Sequence, residues 1–321
     1  MNIRRRIYDR IVDWKTQAAG SKALLIEGAR RTGKSTVAEE IGKNEYTSYI
    51  LIDFNKAGKK IKDAFDDMNN LDLFFQTLTL EYGTRLYPRE SLIIFDEIQK
   101  FPKAREAVKY LVADGRYDYI ETGSLISIRE NVADITLPSE ERKIRMYPVD
   151  FGEFMDYMGE GLLLEHIADC WKSRTPLDQS MHARAMGLFK EYLLVGGMPQ
   201  AVEAYINKKD LAAIDLIKRE IIELYKDDFR KIDPSGYISK IYEAIPSQLA
   251  LKKKRFVISN ATGKAKTEKD SERLSDLIDS KTVLICYNVK GPGISLSQTK
   301  DDDEFKLYLA DTGLFTTLLF N

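Results

Sequence analysis

Eight residues near the start of the chain, Gly28-Ala29-Arg30-Arg31-Thr32-Gly33-Lys34-Ser35, constrain the fold more than any other stretch. They fit G-x-x-x-x-G-K-[ST] completely. They stand between an apolar run, Ala23 to Glu27, and a segment in which Val37, Ala38 and Ile41 share one helical face, with Gly42 expected to close the helix. Strand, glycine loop and helix in that order surround an anion with main-chain N–H groups at a helix N-terminus and set a lysine ammonium beside it. A glycine turn that merely opens a helix is the bland alternative, and the strand-loop-helix context argues against it. The motif predicts phosphate binding by Gly28 to Thr36, with Lys34 on the phosphates and the Ser35 hydroxyl on Mg²⁺.

The rest of the first half alternates strand and helix patterns. Tyr49 to Phe54 reads as a second strand, and Leu71, Phe74, Phe75 and Leu78 then repeat at amphipathic-helix spacing. Leu92 to Phe95 is apolar throughout, as a central strand buried on both faces should be. After it, Ala104, Ala107, Val108 and Leu111 form a helix closed by Asp114 and Gly115, followed by strands at Tyr117 to Glu121 and Lys143 to Tyr147. Asp150 and Glu153 have capping-box spacing. The expected fold class is α/β, a parallel sheet with helices on both faces over residues 1–159. A helical lid or linker is expected over 160–232 and a small winged-helix-like α+β domain over 233–321, where helices precede two alternating segments, Val283 to Val289 and Phe305 to Leu309.

A phosphate loop alone does not separate ATPases from kinases or GTPases, so a second acidic element must decide. Leu92-Ile93-Ile94-Phe95-Asp96-Glu97 has the form of a Walker B strand followed by a catalytic glutamate. Asp96 would help hold Mg²⁺ and Glu97 would polarise the attacking water, which favours ATP hydrolysis over kinase chemistry. Carboxylates leaving a strand for solvent are the plain alternative. The strand at Tyr117 ends in Thr122-Gly123-Ser124, where Ser124 is the candidate γ-phosphate sensor and a simple polar turn is the competing explanation.

These stretches, with Met146-Tyr147-Pro148-Val149-Asp150-Phe151-Gly152-Glu153-Phe154, resemble the AAA+-like ATPases of bacteria and archaea that carry a C-terminal domain of unknown function. Gly196-Gly197-Met198-Pro199 and FKLYLADTGL (Phe305 to Leu314) look like hallmarks of that second domain, so the resemblance covers almost the whole chain. It implies a winged-helix-bearing ATPase. Many members continue into a restriction-endonuclease-like segment; with the chain stopping at Asn321, either the sequence is truncated or the protein lacks that segment, and nuclease activity is not expected of it. AAA+ proteins commonly insert an arginine into the site. Arg129, Arg142 and Arg145 lie in the right part of the chain, with Arg142 singled out as the candidate, against a surface position for each. Arg30 and Arg31 would contact phosphate, a neighbouring segment or solvent.

Composition limits the partners. The net charge of −1 gives no overall basic footprint, so DNA binding must come from a local patch. Lys252-Lys253-Lys254-Arg255, with Lys240 upstream, is the one concentrated basic run; it would meet phosphates or simply end a helix in solvent. Asp301-Asp302-Asp303 is expected at the hairpin tip. No stretch of eighteen uncharged apolar residues occurs, and Arg4, Arg5 and Arg6 lead into no apolar signal region, so a cytoplasmic protein is expected. Cys170, Cys286, His166 and His182 offer no zinc spacing, and no metal beyond magnesium is assigned. The preferred reading is an ATPase whose nucleotide cycle moves its C-terminal domain, with duplex DNA as a candidate partner; the alternative is a nucleotide-occupied DNA- or protein-binding regulatory module with negligible turnover. An oligomer and a protein partner stay open.

Overall fold

Apolar strands flanked by amphipathic helices assemble, in the computed structural model, into one parallel sheet with a core on each face. Residues 5–124, 138–252, 254–263, 268–291 and 296–320 are described. The chain divides into two compact units, Asn2–Met146 and Tyr147–Asn321.

The first unit runs α1 (Ile7–Ala18), β1 (Ala23–Glu27), α2 (Lys34–Glu45), β2 (Ser48–Asp53), α3 (Lys59–Ala64), α4 (Leu71–Tyr82), β3 (Ser91–Asp96), α5 (Pro102–Asp114), β4 (Asp118–Gly123) and β5 (Glu141–Arg145). The strand order is β2-β3-β4-β1-β5, with every pairing parallel. Strand alternation sends Leu92 and Ile94 of β3 to a core shared with α1 and α2, and Ile93 and Phe95 to one shared with α3, α4 and α5. The second core is aromatic: Phe65 lies 4.9 Å from Phe74, 6.0 Å from Phe95 and 5.5 Å from Phe101, ring centre to ring centre.

The α/β class is as expected, with local differences. Gly42 does not close α2, which continues to Glu45; a Cβ there would meet the Tyr49 ring at 2.7 Å, so the glycine lets helix and strand pack closely. Gly115 does close α5, in the left-handed conformation at φ 74°. The fourth strand starts one residue later than expected and ends two residues later, so Thr122 and Gly123 belong to the sheet.

The second unit contains α6 (Phe151–Tyr157), α7 (Gly161–Ser173), α8 (Gln179–Val195), α9 (Pro199–Lys208), α10 (Leu211–Ile232), α11 (Tyr237–Ala250), α12 (Ile258–Thr262), α13 (Glu268–Asp279), β6 (Val283–Val289), β7 (Lys300–Leu309) and α14 (Thr312–Leu319). The division into compact units falls after Met146, and α6 packs with α8: the Phe151 ring lies 5.1 Å from Phe189 and the Phe154 ring 5.5 Å from Tyr192. The capping box forms as expected, Glu153 N–H donating to Asp150 at 2.7 Å and Asp150 N–H to Glu153 at 3.1 Å. Helices α11 to α13 precede the antiparallel β6–β7 pair. The three aspartates are not at the hairpin tip. They lie within β7, where Asp301 pairs with Lys290 at 2.8 Å and Asp302 with Lys300 at 2.6 Å.

Stretches far apart in sequence meet in a backbone clasp. Gly197 N–H donates to Asp311 at 2.6 Å, Leu314 N–H donates to the same carboxylate at 2.8 Å, and Val149 N–H donates to the Gly197 carbonyl at 2.7 Å. Cβ atoms are excluded at this crossing: one at Gly197 would lie 2.0 Å from the Val149 carbonyl oxygen, and one at Gly313 2.3 Å from that of Val195. The glycine pair therefore serves backbone approach.

Candidate nucleotide site

The site lies at the C-terminal ends of β1, β3 and β4. Because β4 is inserted between β1 and β3, the loop after β1 and the acidic end of β3 face each other across the last residues of β4. Gly28 leaves β1 where a Cβ would lie 2.2 Å from the Met146 carbonyl oxygen, so only glycine lets the loop begin there. Arg31 has φ 68° and is exposed; Gly33, at φ 94°, caps α2, and Ala29 and Thr32 are buried. The Thr32 hydroxyl donates to the Ala29 carbonyl at 2.9 Å, tightening the loop from inside. Arg30 is half-buried, and Thr36 faces solvent on the first turn of α2.

Lys34 is 5% exposed and turns back on its own loop, donating to the carbonyls of Gly28 at 3.0 Å and Ala29 at 2.8 Å. Burial pushes its ammonium down to about 8; Glu97 and Asp96 oppose the shift and Arg30 adds to it. One residue on, the Ser35 hydroxyl donates to Asp96 Oδ1 at 2.6 Å, joining the phosphate loop to the end of β3. Thr122 also donates to Asp96 Oδ1, and accepts from Glu97 N–H at 3.3 Å. Glu97 itself is left-handed, at φ 55°, a conformation uncommon outside glycine, and its carboxylate accepts from Gln99 at 2.5 Å.

The structure thus brings together Lys34, Ser35, Asp96 and Glu97, as the spacing predicts. On β4 the hydroxyl that reaches Asp96 belongs to Thr122; Ser124, the candidate sensor, is buried just beyond the strand end. Arg142 is not brought to the loop. It pairs in register with Leu24, four residues or roughly 13 Å of strand before Gly28, and its guanidinium donates to Gln17 at 2.9 Å. Arg145 stands opposite Glu27, at the loop end of β5, and Arg129 lies outside the described residues. Sequence reasoning missed Arg5, whose buried guanidinium donates to the Thr32 carbonyl at 2.8 Å and braces the loop from the N-terminal segment. The signal available was an arginine just before an amphipathic helix. In the second unit, Lys252, Lys254 and Arg255 follow α11 and are exposed, and Lys253 lies outside the described residues.

A family model for an AAA domain matches residues 20–155, and a second, for a domain of unknown function (DUF8612), matches residues 186–321. Residues 20–155 are thus an AAA domain, followed by a domain of unknown function over 186–321. The AAA domain so matched contains every residue of the loop and of the acidic strand end. No curated protein matches the sequence. Among solved structures, the chain is 12% identical to C. elegans PCH-2 at a TM-score of 0.28, over 54% of this chain and 49% of that one, and so spans about half its length. The Aeropyrum pernix Orc1 protein, solved in complex with DNA, is 12% identical over 100% and 93% of the two chains at a TM-score of 0.34. The AMPPCP-bound DnaA of Aquifex aeolicus is 11% identical over 87% and 85% at 0.35. Likenesses this low decide nothing about the AAA domain; the family models and the site geometry do. Among the described residues, no helix is long and apolar enough to cross a membrane.

Proposed function

We propose that the chain binds ATP with magnesium at Gly28 to Thr36 and hydrolyses it, and that the nucleotide cycle moves the C-terminal unit. Duplex DNA is the partner proposed for that unit, read as a winged helix, through Lys252, Lys253, Lys254 and Arg255. The observation that carries the reading is the junction in which Ser35 and Thr122 both donate to one oxygen of Asp96. Such a junction has no use in a simple glycine turn. Hydroxyl and carboxylate oxygens suit a hard divalent cation, so Ser35 and Asp96 fit magnesium. Bound there, the metal would neutralise charge developing on the transferred phosphoryl group. In this reading Lys34 exchanges its loop carbonyls for phosphate oxygens, and Glu97, adjacent to Asp96, orients and polarises the attacking water. Thr122 holds the Asp96 carboxylate in place.

One observation favours the alternative of a regulatory module with negligible turnover: Lys34 is already satisfied by Gly28 and Ala29, so nucleotide must displace those bonds. ATP binding and turnover, measured with and without duplex DNA on the intact chain, separate the two. Lys34→Ala should abolish binding, whereas Glu97→Gln should keep it and lower turnover by about 10²–10⁴-fold. Wild-type turnover in Glu97→Gln would remove Glu97 from the mechanism. No turnover in the wild type under any condition would leave the regulatory reading standing.

A further inference from the structure

One residue before Thr122, the sheet carries an acidic side chain in an improbable place. Glu121 is fully buried on β4, on the same face as Tyr119, with Phe95 of β3 and Leu25 of β1 beside it in register. Its carboxyl lies within hydrogen-bonding reach of Glu141, but two ionised carboxylates offer no donor, so as ionised groups they leave both Glu121 oxygens unsatisfied among the described residues. Nearby, the buried guanidinium of Arg105 on α5 grips Glu141 of β5 with two bonds, Nε to Oε1 at 2.8 Å and Nη2 to Oε2 at 2.9 Å. The charged groups that face Glu121 are Glu141 and Lys143 from β5 and Arg105 from α5; Glu27 of β1 acts on Arg105 in turn.

This cluster holds two carboxyls over one committed guanidinium. A single buried cation compensates a single carboxylate, and a second anion would stand in low dielectric without a donor. Two adjacent carboxyls attract only when one carries a proton and donates it to the other. We propose that Glu121 is a positioning residue for the nucleotide site: as a neutral carboxylic acid it donates to Glu141 across β1, and so fixes the end of β4 at which Thr122 is presented to Asp96. The direction of titration agrees. Burial first, then Glu141, push Glu121 well above the usual carboxylate range, with Arg105 and Lys143 opposing.

The proposal rests on the reading of Gly28 to Thr36 as an ATP site, but its signature can be measured separately. A carboxyl that stays protonated in the folded chain while the unfolded chain ionises makes folding weaken as pH rises. Between the ordinary carboxylate range and the folded value, the ratio of folded to unfolded protein falls by about tenfold per pH unit. Glutamine is a neutral donor at every pH and lacks this dependence.

The experiment compares wild type, Glu121→Gln and Glu121→Ala as intact chains from pH 5 to 9, reading unfolding midpoint, magnesium-dependent ATP affinity and turnover. Expected results are a stability gap between Glu121→Gln and wild type that widens toward alkaline pH, and an alkaline loss of ATP affinity or turnover in wild type that Glu121→Gln removes. Glu121→Ala should lose affinity or turnover at pH 7, with glutamine rescuing it. Parallel pH profiles for wild type and Glu121→Gln overturn the proposal, and that comparison stands even if the alanine variant fails to fold. Failure of the wild type to bind ATP at all overturns the site reading instead, and is seen before any variant is tested.

Discussion

Thr122 occupies the point where the phosphate loop and the acidic strand end would otherwise leave a gap. Its hydroxyl donates to Asp96 and accepts from Glu97 N–H, so it touches both acidic residues at once. Removing it should leave Asp96 with Ser35 alone and let the carboxylate turn. Thr122→Ala is therefore expected to lower turnover by about tenfold or more, equivalent to ~1.4 kcal/mol in the transition state, while Ser124→Ala changes it little. Steady-state ATP hydrolysis on the two variants checks the order; a larger loss in Ser124→Ala would return the sensor role to that residue. Lys34 and Asp96 were legible in the sequence because a fixed spacing names them without reference to the fold. Thr122 was not singled out, because choosing between two hydroxyls two residues apart requires knowing where β4 ends. Arg5 and Glu121 were hidden for a related reason. Each acts through groups distant in sequence, and a charged residue next to an apolar run reads as exposed until the sheet order buries it.

At the level of elements, the clasp of the second unit joins the approach to α6, the turn after α8 and the start of α14. Asp311 serves two backbone donors, Gly197 and Leu314, from within a buried site. An asparagine of the same shape can accept from only one of them and points an N–H at the other. Asp311→Asn should cost about 1–3 kcal/mol of the second unit's stability, the usual cost of a buried donor left without a partner. Gly197→Ala should be at least as damaging, since its methyl meets the Val149 carbonyl. Denaturant unfolding of the intact chain, followed by a probe in the second unit, measures both; unchanged midpoints would show that the clasp is not what holds these segments. The resemblance to a known second domain pointed to these glycines and this aspartate as hallmarks. It could not say that they touch, because nothing in the spacing of residues 149, 197 and 311 pairs them.

For the molecule as a whole, a net charge of −1 confines any nucleic-acid contact to a patch, and the residues after α11 are the place to look. If Lys252, Lys253, Lys254 and Arg255 all reach phosphates, log affinity for duplex DNA should fall against log salt with a slope of about −3 to −4. Reversing their charge should weaken binding to every sequence about equally. Binding undiminished after charge reversal would leave the run as a solvated helix end and make a protein partner the better reading. The clasp also bears on the order in which the chain can be made into a protein. Every strand of the AAA sheet has been synthesised by Arg145, so that sheet can close while the remainder is still emerging from the ribosome. The second unit has no such freedom: its Gly197 waits for Asp311, 114 residues later, and until then the helices from Phe151 onward must persist without the partner that locks them. The interval in which this protein is open to proteases and chaperones is thus written into the position of one aspartate.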